Sequence, residues 1–577
     1  MFSERIHLYH SYMQNTPTPL FKARTPLLRA LQRAFGLAVA ANEPGAPSAE
    51  ELADLATTHT RRDFLASTAK MGLLVGAGGL LTACEAEVVA PATPGGQSSL
   101  DGKSTQPSIV VVGAGVAGLN CAYQLKKAGV RAAVYEASNR AGGRIFTASD
   151  LMAPGLTTEL GGEFIDSGHR DMLQLAQEFG LTLYDVEAPS ETVLKKDAYF
   201  FGGRQYTVAE VIEAFQPYAR QIDTDIRALP GTITFDNLTP AAARFDQLSI
   251  AAYFDSIGLR GLIRELLEVA YLTEYGREVH EQSAINFLWL FSADTHKGTF
   301  DIFGISDERY KIKGGNQQLT DALARQLSGQ ITLQHKLVKL AQNSSQQYVL
   351  TFEQSGGRRL EVTADYVVLT LPFTVLRKVE LQVALPTWKT NAIQNLGYGT
   401  NAKLFLGFNG RPWRTEGYTG YLFSDLPAQS GWDSGQLQPT TKSAYTVYLG
   451  GQEGVRLGSG TAQSQAGRYL PVLEAAWPAC RGHYNGRAER MHWPTHPHTL
   501  ASYACFLPGQ YSTIAGAEGR PVGNLFFAGE HCSAWYQGFM NGAAETGRLA
   551  AEGLQAALRK GNTALHRRLR QREASLV

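Results

Sequence analysis

Three glycines and one carboxylate have the residue types and the spacing to hold a pyrophosphate and a ribose: Gly113, Gly115, Gly118 and Glu136. The first glycine permits a tight turn, the second lets the backbone approach a pyrophosphate, and the third lets a helix pack closely on the preceding strand. The carboxylate follows the third glycine by 18 residues, where it can accept both hydroxyls of an adenosine ribose. The spacing therefore predicts a dinucleotide site.

The elements around these glycines have the order that such a site requires. Ile109 to Val112 is an unbroken β-branched run, typical of a parallel strand buried on both faces. A helix from about Val116 to Ala128, ended by Gly129, directs its first amides at the phosphates. A second strand, Ala132 to Tyr135, delivers the carboxylate at its end. The alternative is a glycine-rich turn in another α/β unit, and the register of the four parts argues against it.

The next turn, Ala141-Gly142-Gly143-Arg144, resembles the flavin-containing amine oxidase superfamily. That group includes monoamine oxidases, polyamine oxidases, L-amino-acid oxidases and tryptophan 2-monooxygenases. In the family the arginine of this turn contacts the FAD pyrophosphate, a role that suits a guanidinium fork. Five further segments carry the resemblance, and with the opening segment they span most of residues 107 to 560: Glu159 to Phe164, Gly314 to Asn316, His335 to Leu340, Asp365 to Pro372 and Asn524 to Ala551.

The resemblance assigns a role to several of these segments. Gly161 and Gly162 lie beside the isoalloxazine in the family, and the backbone near Val338 meets the adenine. The amides around Phe539 and Met540 open a helix under the flavin O2. The predicted FAD contacts are Gly113, Gly115, Val116, Ala117, Gly118, Glu136, Ala137, Arg140, Gly143, Arg144, Gly161, Gly162, Glu163, Phe164, Val338, Gly529, Glu530, Gly538, Phe539 and Met540.

The resemblance implies an α/β fold of the amine oxidase and p-hydroxybenzoate hydroxylase type. It has a discontinuous Rossmann-like FAD-binding domain and an α+β substrate-binding domain. We predict helices at Leu262 to Tyr271 and Ser283 to Leu290, and strands at Ala402 to Phe408 and Ser443 to Leu449. The FAD-binding domain is predicted from 107–167, 311–375 and 496–560, and the substrate-binding domain from 168–310 and 376–495.

The catalytic residues are also implied by the resemblance. Lys403 stands where the family has a lysine that holds a water against flavin N5; a solvent-facing strand lysine is the alternative. Tyr503 and Phe539 match the two aromatic residues that sandwich the amine, and core packing is their alternative. Trp493 precedes Ser502 by nine residues, the spacing of a tryptophan before the flavin-bonding cysteine of monoamine oxidases. Because Ser502 replaces that cysteine, we expect non-covalent FAD.

The implied reaction is hydride transfer to flavin from the carbon bearing the amine, with oxygen or a quinone as the final acceptor. We favour an L-amino acid as substrate, which yields a 2-oxo acid, ammonia and, for an oxidase, hydrogen peroxide. Glu163 and Asp166 can attract a distal cation, while Arg309 or Arg170 can contact a carboxylate; for each of them a surface charge or a structural ion pair is the alternative. The alternatives are a primary amine or polyamine oxidase, a tryptophan 2-monooxygenase and a non-catalytic flavin-binding module.

Composition excludes some functions. A formal net charge of +1, with 18% charged residues, gives no electrostatic basis for nucleic-acid binding. We expect no metal site, because the cysteines lack metal-ligand spacing and the histidines at 492, 496 and 498 lie among prolines. Cys480, Cys505 and Cys532 are read as free thiols or as including one disulfide. The sequence leaves open whether the protein forms a homodimer.

The first hundred residues contain patterns that are typical of export signals. Arg61-Arg62 resembles a twin-arginine export motif, the uncharged run from Met71 to Ala83 suits a signal, and Cys84 ends a lipobox-like sequence. We expect a periplasmic protein or a lipoprotein anchored at Cys84. The segments are an N-terminal extension (1–60), a signal (61–84), a linker (85–106) and, at the other end, a basic tail (561–577). About sixty residues before the arginines is long for a signal: either the start is misassigned, or Leu27 to Ala40 forms an amphipathic helix with its own role.

Overall fold

A computed structural model describes residues 26–42, 46, 48–53, 107–291 and 307–574 of the chain. The predicted export signal, Cys84 and most of the predicted linker lie outside these residues. Across the part that is described, no helix is long and apolar enough to cross a membrane. The same part contains three sheets of four or more strands, and all three contribute residues to the site.

A five-stranded parallel sheet forms the centre of the nucleotide-binding part. Its middle strand, Ile109–Val112, is fully buried, as its β-branched sequence predicts. The tight turn at Gly113 (φ 107°) leads into the helix Val116–Lys127, and Gly129 (φ 75°) follows the end of that helix. A Cβ on Gly118 would lie 1.9 Å from the carbonyl oxygen of Gly113, so helix and turn touch backbone to backbone. The strand order is Leu525–Phe527, Tyr366–Leu369, Ile109–Val112, Ala133–Tyr135 and Ile331–Thr332.

A long helix, Met540–Ala574, packs against the helix Val116–Lys127. The approach is close because a Cβ on Gly547 would meet the Ala117 carbonyl oxygen at 2.2 Å. The helix continues through 561–574, within the segment predicted as a basic tail. A four-stranded sheet lies beside this part, in the order Arg359–Ala364, Tyr348–Gln354, His335–Gln342 and Glu380–Gln382.

A seven-stranded sheet forms the other wall of the molecule. Its order is Tyr484–His492, Ala402–Phe408, Ser443–Leu449, Ser430–Asp433, Tyr418–Ser424, Lys195–Phe201 and Arg204–Tyr206. The predicted strands at 402–408 and 443–449 have these bounds. The predicted helices at 262–271 and 283–290 extend over Leu262–Tyr275 and Ala284–Phe291. The predicted substrate-binding segment 168–310 contributes the strands Lys195–Phe201 and Arg204–Tyr206 to this sheet, as well as helices.

The remaining elements connect and cover the sheets. Two small antiparallel pairs are Thr147–Ser149 with Thr157–Glu159, and Leu183–Asp185 with Tyr310–Ile312. Helices longer than one turn are Arg170–Glu178, Val208–Arg227, Pro240–Asp246, Ile250–Ser256, Gln317–Gln326, Thr387–Asn395, Gly451–Arg456 and Ala462–Ala476. Short helices are Pro189–Thr192, Phe373–Leu376, Pro412–Thr415, Cys480–His483, Trp493–Thr495, Gln510–Thr513 and Glu530–Cys532.

The described part of the predicted N-terminal extension packs on the folded protein. Residues 27–40, whose amphipathic pattern predicts a helix, lie in the helix Pro26–Ala41. This helix packs against Val208–Arg227 and Leu262–Tyr275. Its apolar side chains belong to the same core as those two helices, so part of the predicted extension completes the hydrophobic core of the substrate-binding part.

Candidate active site

One continuous cavity follows the carboxyl edge of the parallel sheet and reaches the seven-stranded sheet. At the first end it is lined by residues that directly follow parallel strands, namely Gly113, Glu136 and Thr370. At the other end Lys403 and Tyr448 project from the seven-stranded sheet. Ligands of open α/β sheets bind at this edge, so the cavity lies where the sequence predicts a dinucleotide.

Glu136 is fixed for ribose binding by the backbone around it. Its Oε2 accepts a hydrogen bond from the Ala114 N–H at 2.7 Å, and its Oε1 accepts one from the Ser138 N–H at 2.8 Å. The first of these amides lies within the glycine turn. The carboxylate and the turn are thus locked together, and the remaining lone pairs of the carboxylate can accept ribose hydroxyls.

Arg144 joins distant segments of the chain at the middle of the cavity. Its Nη1 donates to Glu530 Oε1 at 2.9 Å and to the Ser502 carbonyl oxygen at 2.6 Å. The other oxygen of Glu530 accepts the Gly538 N–H at 2.9 Å. The Arg144 side chain is one-quarter exposed, and its guanidinium has further N–H groups for a pyrophosphate while the carboxylate orients it.

Arg140 stabilises the turn that carries Arg144. Its Nη1 donates to the carbonyl oxygens of Ala141 and Ile145, each at 3.1 Å. Its guanidinium lies 4.0 Å from the centre of the Phe146 ring. Arg140 lines the cavity, but its hydrogen bonds go to its own turn, so its main effect is on the shape of that turn.

Both glycines of the segment 159–164 are closely packed. A Cβ on Gly161 would lie 1.9 Å from the Arg144 carbonyl oxygen, and one on Gly162 would lie 2.6 Å from the Met540 sulfur. The Asn316 side chain donates to the carbonyl oxygens of Gly162 and Glu163, at 3.0 and 2.7 Å. This bare backbone surface beside the first turn of the helix Met540–Ala574 fits a flat ring system.

Lys403 lies in a buried ion network. Its Nζ donates to Glu163 Oε2 at 3.0 Å, to the Gly161 carbonyl oxygen at 2.9 Å and to the Glu159 carbonyl oxygen at 3.2 Å. The other oxygen of Glu163 accepts from Lys311 Nζ at 3.3 Å. Burial alone would raise the pKa of Glu163, but the two lysines hold it below its ordinary value. Lys403 is buried and faces the cavity, which differs from a solvent-facing strand lysine.

Aromatic side chains surround the cavity next to Lys403. The Tyr503 hydroxyl lies 2.8 Å from the Tyr448 hydroxyl and donates to the Glu274 carbonyl oxygen at 2.8 Å. The Trp432 ring lies 5.3 Å from the Tyr448 ring and 5.4 Å from Lys403 Nζ. Phe164, Trp493 and Phe539 complete this wall of the cavity. The aromatic compartment can desolvate an amine and orient it.

Two further carboxyl groups line the same end. Asp166 Oδ1 accepts the Glu308 N–H at 3.0 Å, and its Oδ2 lies 3.2 Å from His169 Nε2. The His169 ring meets the Phe539 ring edge-on at 4.9 Å, which places this pair beside the aromatic compartment. The carboxyl groups of Asp166 and Glu308 both line the cavity, and both residues are almost fully buried. This end of the cavity is therefore suited to a cationic group.

The arginines expected to contact a carboxylate lie elsewhere. Arg309 forms a two-pronged pair with Asp185, at 2.9 and 2.8 Å, and does not line the cavity. Arg170 is exposed at the start of its helix and does not line the cavity either. Among the described residues, the arginines that line the cavity are Arg140 and Arg144, both next to the glycine turn.

The structure gathers nearly all the predicted site residues around one cavity. Gly118 packs behind the turn instead of lining it. Val338 is the extra residue of a bulge in its strand, between the pairs Leu337–Phe352 and Lys339–Thr351, and residues 335–337 line the cavity in its place. Sequence reasoning missed Trp432, Tyr448, Glu308, Asn401, His496 and His498.

Ser502 and the cysteines agree in excluding one kind of flavin attachment. Ser502 lines the cavity and donates to Asn401 Oδ1 at 2.7 Å. Cys121, Cys480, Cys505 and Cys532 are free thiols, and none of these four lines the cavity. The described part of the chain thus offers no thiol to the cavity, and the lining residues fit FAD held by non-covalent contacts.

Comparisons with known proteins agree with this geometry. An amine oxidase [flavin-containing] of Danio rerio is 24% identical to the chain and aligns with 78% of it and 86% of its own length. Amine oxidase [flavin-containing] B of Homo sapiens is also 24% identical and aligns with 79% of the chain and 88% of its own length. Among solved structures, cyclohexylamine oxidase from Brevibacterium oxydans IH-35A superposes with a TM-score of 0.67 at 22% identity, over 78% of this chain and 99% of that one.

Putrescine oxidase bound to putrescine superposes with a TM-score of 0.66 at 20% identity, over 78% of this chain and 99% of that one. At these identities the structures establish the fold. The family model for flavin containing amine oxidoreductase matches residues 116–555, from the glycine-turn helix to the helix that closes the cavity. The chain therefore belongs to the flavin-containing amine oxidoreductase family, and its cofactor is FAD.

Proposed function

We propose that the protein oxidises a small amine whose far end carries a second positive charge, and that oxygen accepts the electrons to give hydrogen peroxide. The carrying observation is the charge of the compartment. Three acidic residues line it: Glu163, Asp166 and Glu308. Of these, Glu163 forms ion pairs with Lys403 and Lys311. Buried carboxyl groups beside the aromatic compartment favour a cation over a carboxylate.

This proposal replaces the L-amino acid favoured by sequence. Recognition of an amino-acid carboxylate requires a donor such as arginine, and Arg309 is held by Asp185. The names of the structural neighbours also support an amine, since they are a cyclohexylamine oxidase and a putrescine oxidase. A diamine satisfies both conditions: one nitrogen is oxidised, and the other pairs with the acidic wall.

Different residues of the cavity have different roles in the proposed reaction. FAD, when bound, accepts the hydride from the carbon that bears the amine. Tyr503 and Tyr448, linked through their hydroxyls, and Phe539 orient the reacting amine and exclude water from it. Asp166 and Glu308 hold the far nitrogen. Lys403 places a positive charge next to the segment that carries Gly161 and can order a water in the cavity.

The experiment compares three substrate classes on the FAD-loaded protein. Diamines of three to six carbons, monoamines of equal length and L-amino acids including lysine and arginine are mixed with it without oxygen. Loss of flavin absorbance is followed, and air is then admitted while peroxide is assayed. We expect the diamines to bleach the flavin at the lowest concentration.

The outcomes separate the candidate functions. Bleaching by L-amino acids and not by amines would refute the proposal and restore the amino-acid oxidase. An amide product from tryptophan would indicate a 2-monooxygenase. Slow reoxidation by air together with fast reoxidation by a quinone would make the protein a dehydrogenase. A flavin that no member of the three classes bleaches would favour a binding module.

A further inference from the structure

The N-terminal segment forms a clasp on the substrate-binding part. We use the name clasp for residues 26–42 and 48–53, which contain the helix Pro26–Ala41 and a short helical stretch at 49–53. The clasp helix packs along the helix Val208–Arg227 and also contacts Leu262–Tyr275. The family match covers residues 116–555, so the clasp lies outside the matched part of the chain.

The contact between the clasp and the substrate-binding part consists of buried apolar side chains. Leu31 and Ala38 have no exposed surface, and neither has Leu52 from the short helical stretch. The Phe35 ring meets the Phe215 ring edge-on at 5.8 Å. All these side chains belong to one buried cluster with the residues of the substrate-binding part, and removing the clasp would open that cluster to water.

Polar contacts fix the position of the clasp along its groove. Asn42 Nδ2 donates to the Gln216 carbonyl oxygen at 2.9 Å, at the end of the clasp helix. Ser48 and Glu51 then form a reciprocal pair: the Ser48 N–H donates to Glu51 Oε2 at 2.9 Å, and the Glu51 N–H donates to Ser48 Oγ at 3.2 Å. Such a pair starts a helix, so the short stretch is encoded locally as well as by packing.

The clasp also supports the active site from behind. The helix Leu262–Tyr275, which it contacts, presents the carbonyl oxygens of Thr273 and Glu274 at its end. These oxygens accept the Tyr503 hydroxyl at 3.4 and 2.8 Å. A shift of this helix would therefore move the hydroxyl that orients one wall of the aromatic compartment.

We propose that the clasp is a permanent part of the folded protein and that the apolar groove beside Val208–Arg227 is its binding site. The predicted export signal and Cys84 then lie between two parts of one fold. A cut anywhere in 54–106, including one at Cys84, leaves the clasp bound as a second chain. This proposal does not depend on the substrate.

The test cuts the full chain after it has folded. Residues 92–98 are replaced by the recognition sequence of a site-specific protease, the FAD-loaded protein is cut, and the products are separated by gel filtration at about 1 µM. We expect both pieces to elute together and to separate only on a denaturing gel. In a Leu31→Asp, Phe35→Asp double variant we expect the small piece to elute alone. Glu50→Lys, at an exposed position of the clasp, is the matched control and should stay bound.

A second measurement decides the question if the double variant fails to fold. Hydrogen exchange is measured on the uncut wild-type chain, where the amides of 31–39 should exchange at least 100-fold more slowly than those of an unfolded peptide. Two results would overturn the proposal: release of the small piece from a cut, FAD-bound wild-type body, or exchange of 31–39 at the unfolded rate.

Discussion

Glu159 is a buried carboxyl group whose ionisation should destabilise the protein above neutral pH. Burial raises the pKa of Glu159 to about 7, and the nearby negative Glu163 adds to the effect. The Asn316 N–H at 2.7 Å and the Thr147 hydroxyl at 2.8 Å offset only part of the burial. The side chain is almost fully buried, so solvent screens little of this cost.

The direction and the size of the stability change follow from the pKa of Glu159 in the folded state and in the unfolded state. An unfolded glutamate titrates near 4.5, so between that pH and about 7 the folded state binds more protons than the unfolded state. The stability from the protonated Glu159 is fully present below pH 4.5 and is lost as pH rises through about 7. At about 1.4 kcal/mol per pH unit, the total loss is about 3 kcal/mol.

The perturbation is Glu159→Gln, which keeps an oxygen for the Asn316 N–H and cannot ionise. Urea unfolding with excess FAD is measured at pH 5 and pH 8.5 for the variant, the wild type and Glu265→Gln, an exposed control. We expect the stability difference between Glu159→Gln and wild type to shift by about 3 kcal/mol in favour of the variant between the two pH values. If the stability difference between Glu159→Gln and wild type is the same at both pH values, the reasoning is refuted. The size of that difference does not matter, because a packing cost of the substitution is the same at both pH values and cancels in the comparison.

Three further predictions concern the cavity. Lys403→Met should slow flavin reduction by about 10- to 100-fold without loss of FAD, as measured in anaerobic stopped flow, whereas the exposed Lys378→Met should not. Arg144→Gln should weaken FAD binding by about 10- to 100-fold in fluorescence titration, since the pyrophosphate loses its arginine and Glu530 its partner. Glu308→Gln should raise KM about tenfold for a diamine and leave KM for a monoamine of equal length unchanged.

Each of these has a result that contradicts it. An unchanged reduction rate in Lys403→Met would remove that lysine from the chemistry. Undiminished FAD affinity in Arg144→Gln would mean that the guanidinium serves the fold and not the cofactor. Equal rises in KM for diamine and monoamine in Glu308→Gln would indicate a general disturbance of the compartment and not recognition of a second charge.

Sequence was sufficient where the physics is local. The tight turn at Gly113 follows from the spacing of the glycines, and the segment that carries Gly161 and Gly162 follows from its resemblance to a family motif. The strand Ala402–Phe408 has the bounds that its alternating pattern predicts. In each case the deciding neighbours are close in sequence or belong to a recognisable motif.

Sequence was insufficient where strand pairing decides. Trp432 and Tyr448 meet because two antiparallel strands pair Ser430 with Tyr448 and Trp432 with Thr446, which neither strand specifies alone. Arg309 faces Asp185 because the strands 183–185 and 310–312 pair. Val338 misses the cavity because of a one-residue bulge. These non-local contacts changed the proposed substrate from an amino acid to an amine.

The bonding of Lys403 constrains how it can act. An ammonium has three N–H groups, and here three acceptors lie within reach: Glu163 Oε2, and the carbonyl oxygens of Gly161 and Glu159. A water in the cavity can be bound only if one of these contacts is given up, and the longest, to Glu159 at 3.2 Å, is the easiest to exchange.

Lys403 therefore has two tasks that can be separated. It ties the segment 159–163 to the seven-stranded sheet, and it offers a charge to the cavity. Lys403→Met should lose stability as well as rate, by about 3 kcal/mol, because Glu163 loses one of its two partners in a buried site. If the lysine served only to hold a water, the rate would fall and the urea midpoint would not move. Measuring both quantities on the same preparation distinguishes a positioning contact from a purely catalytic one.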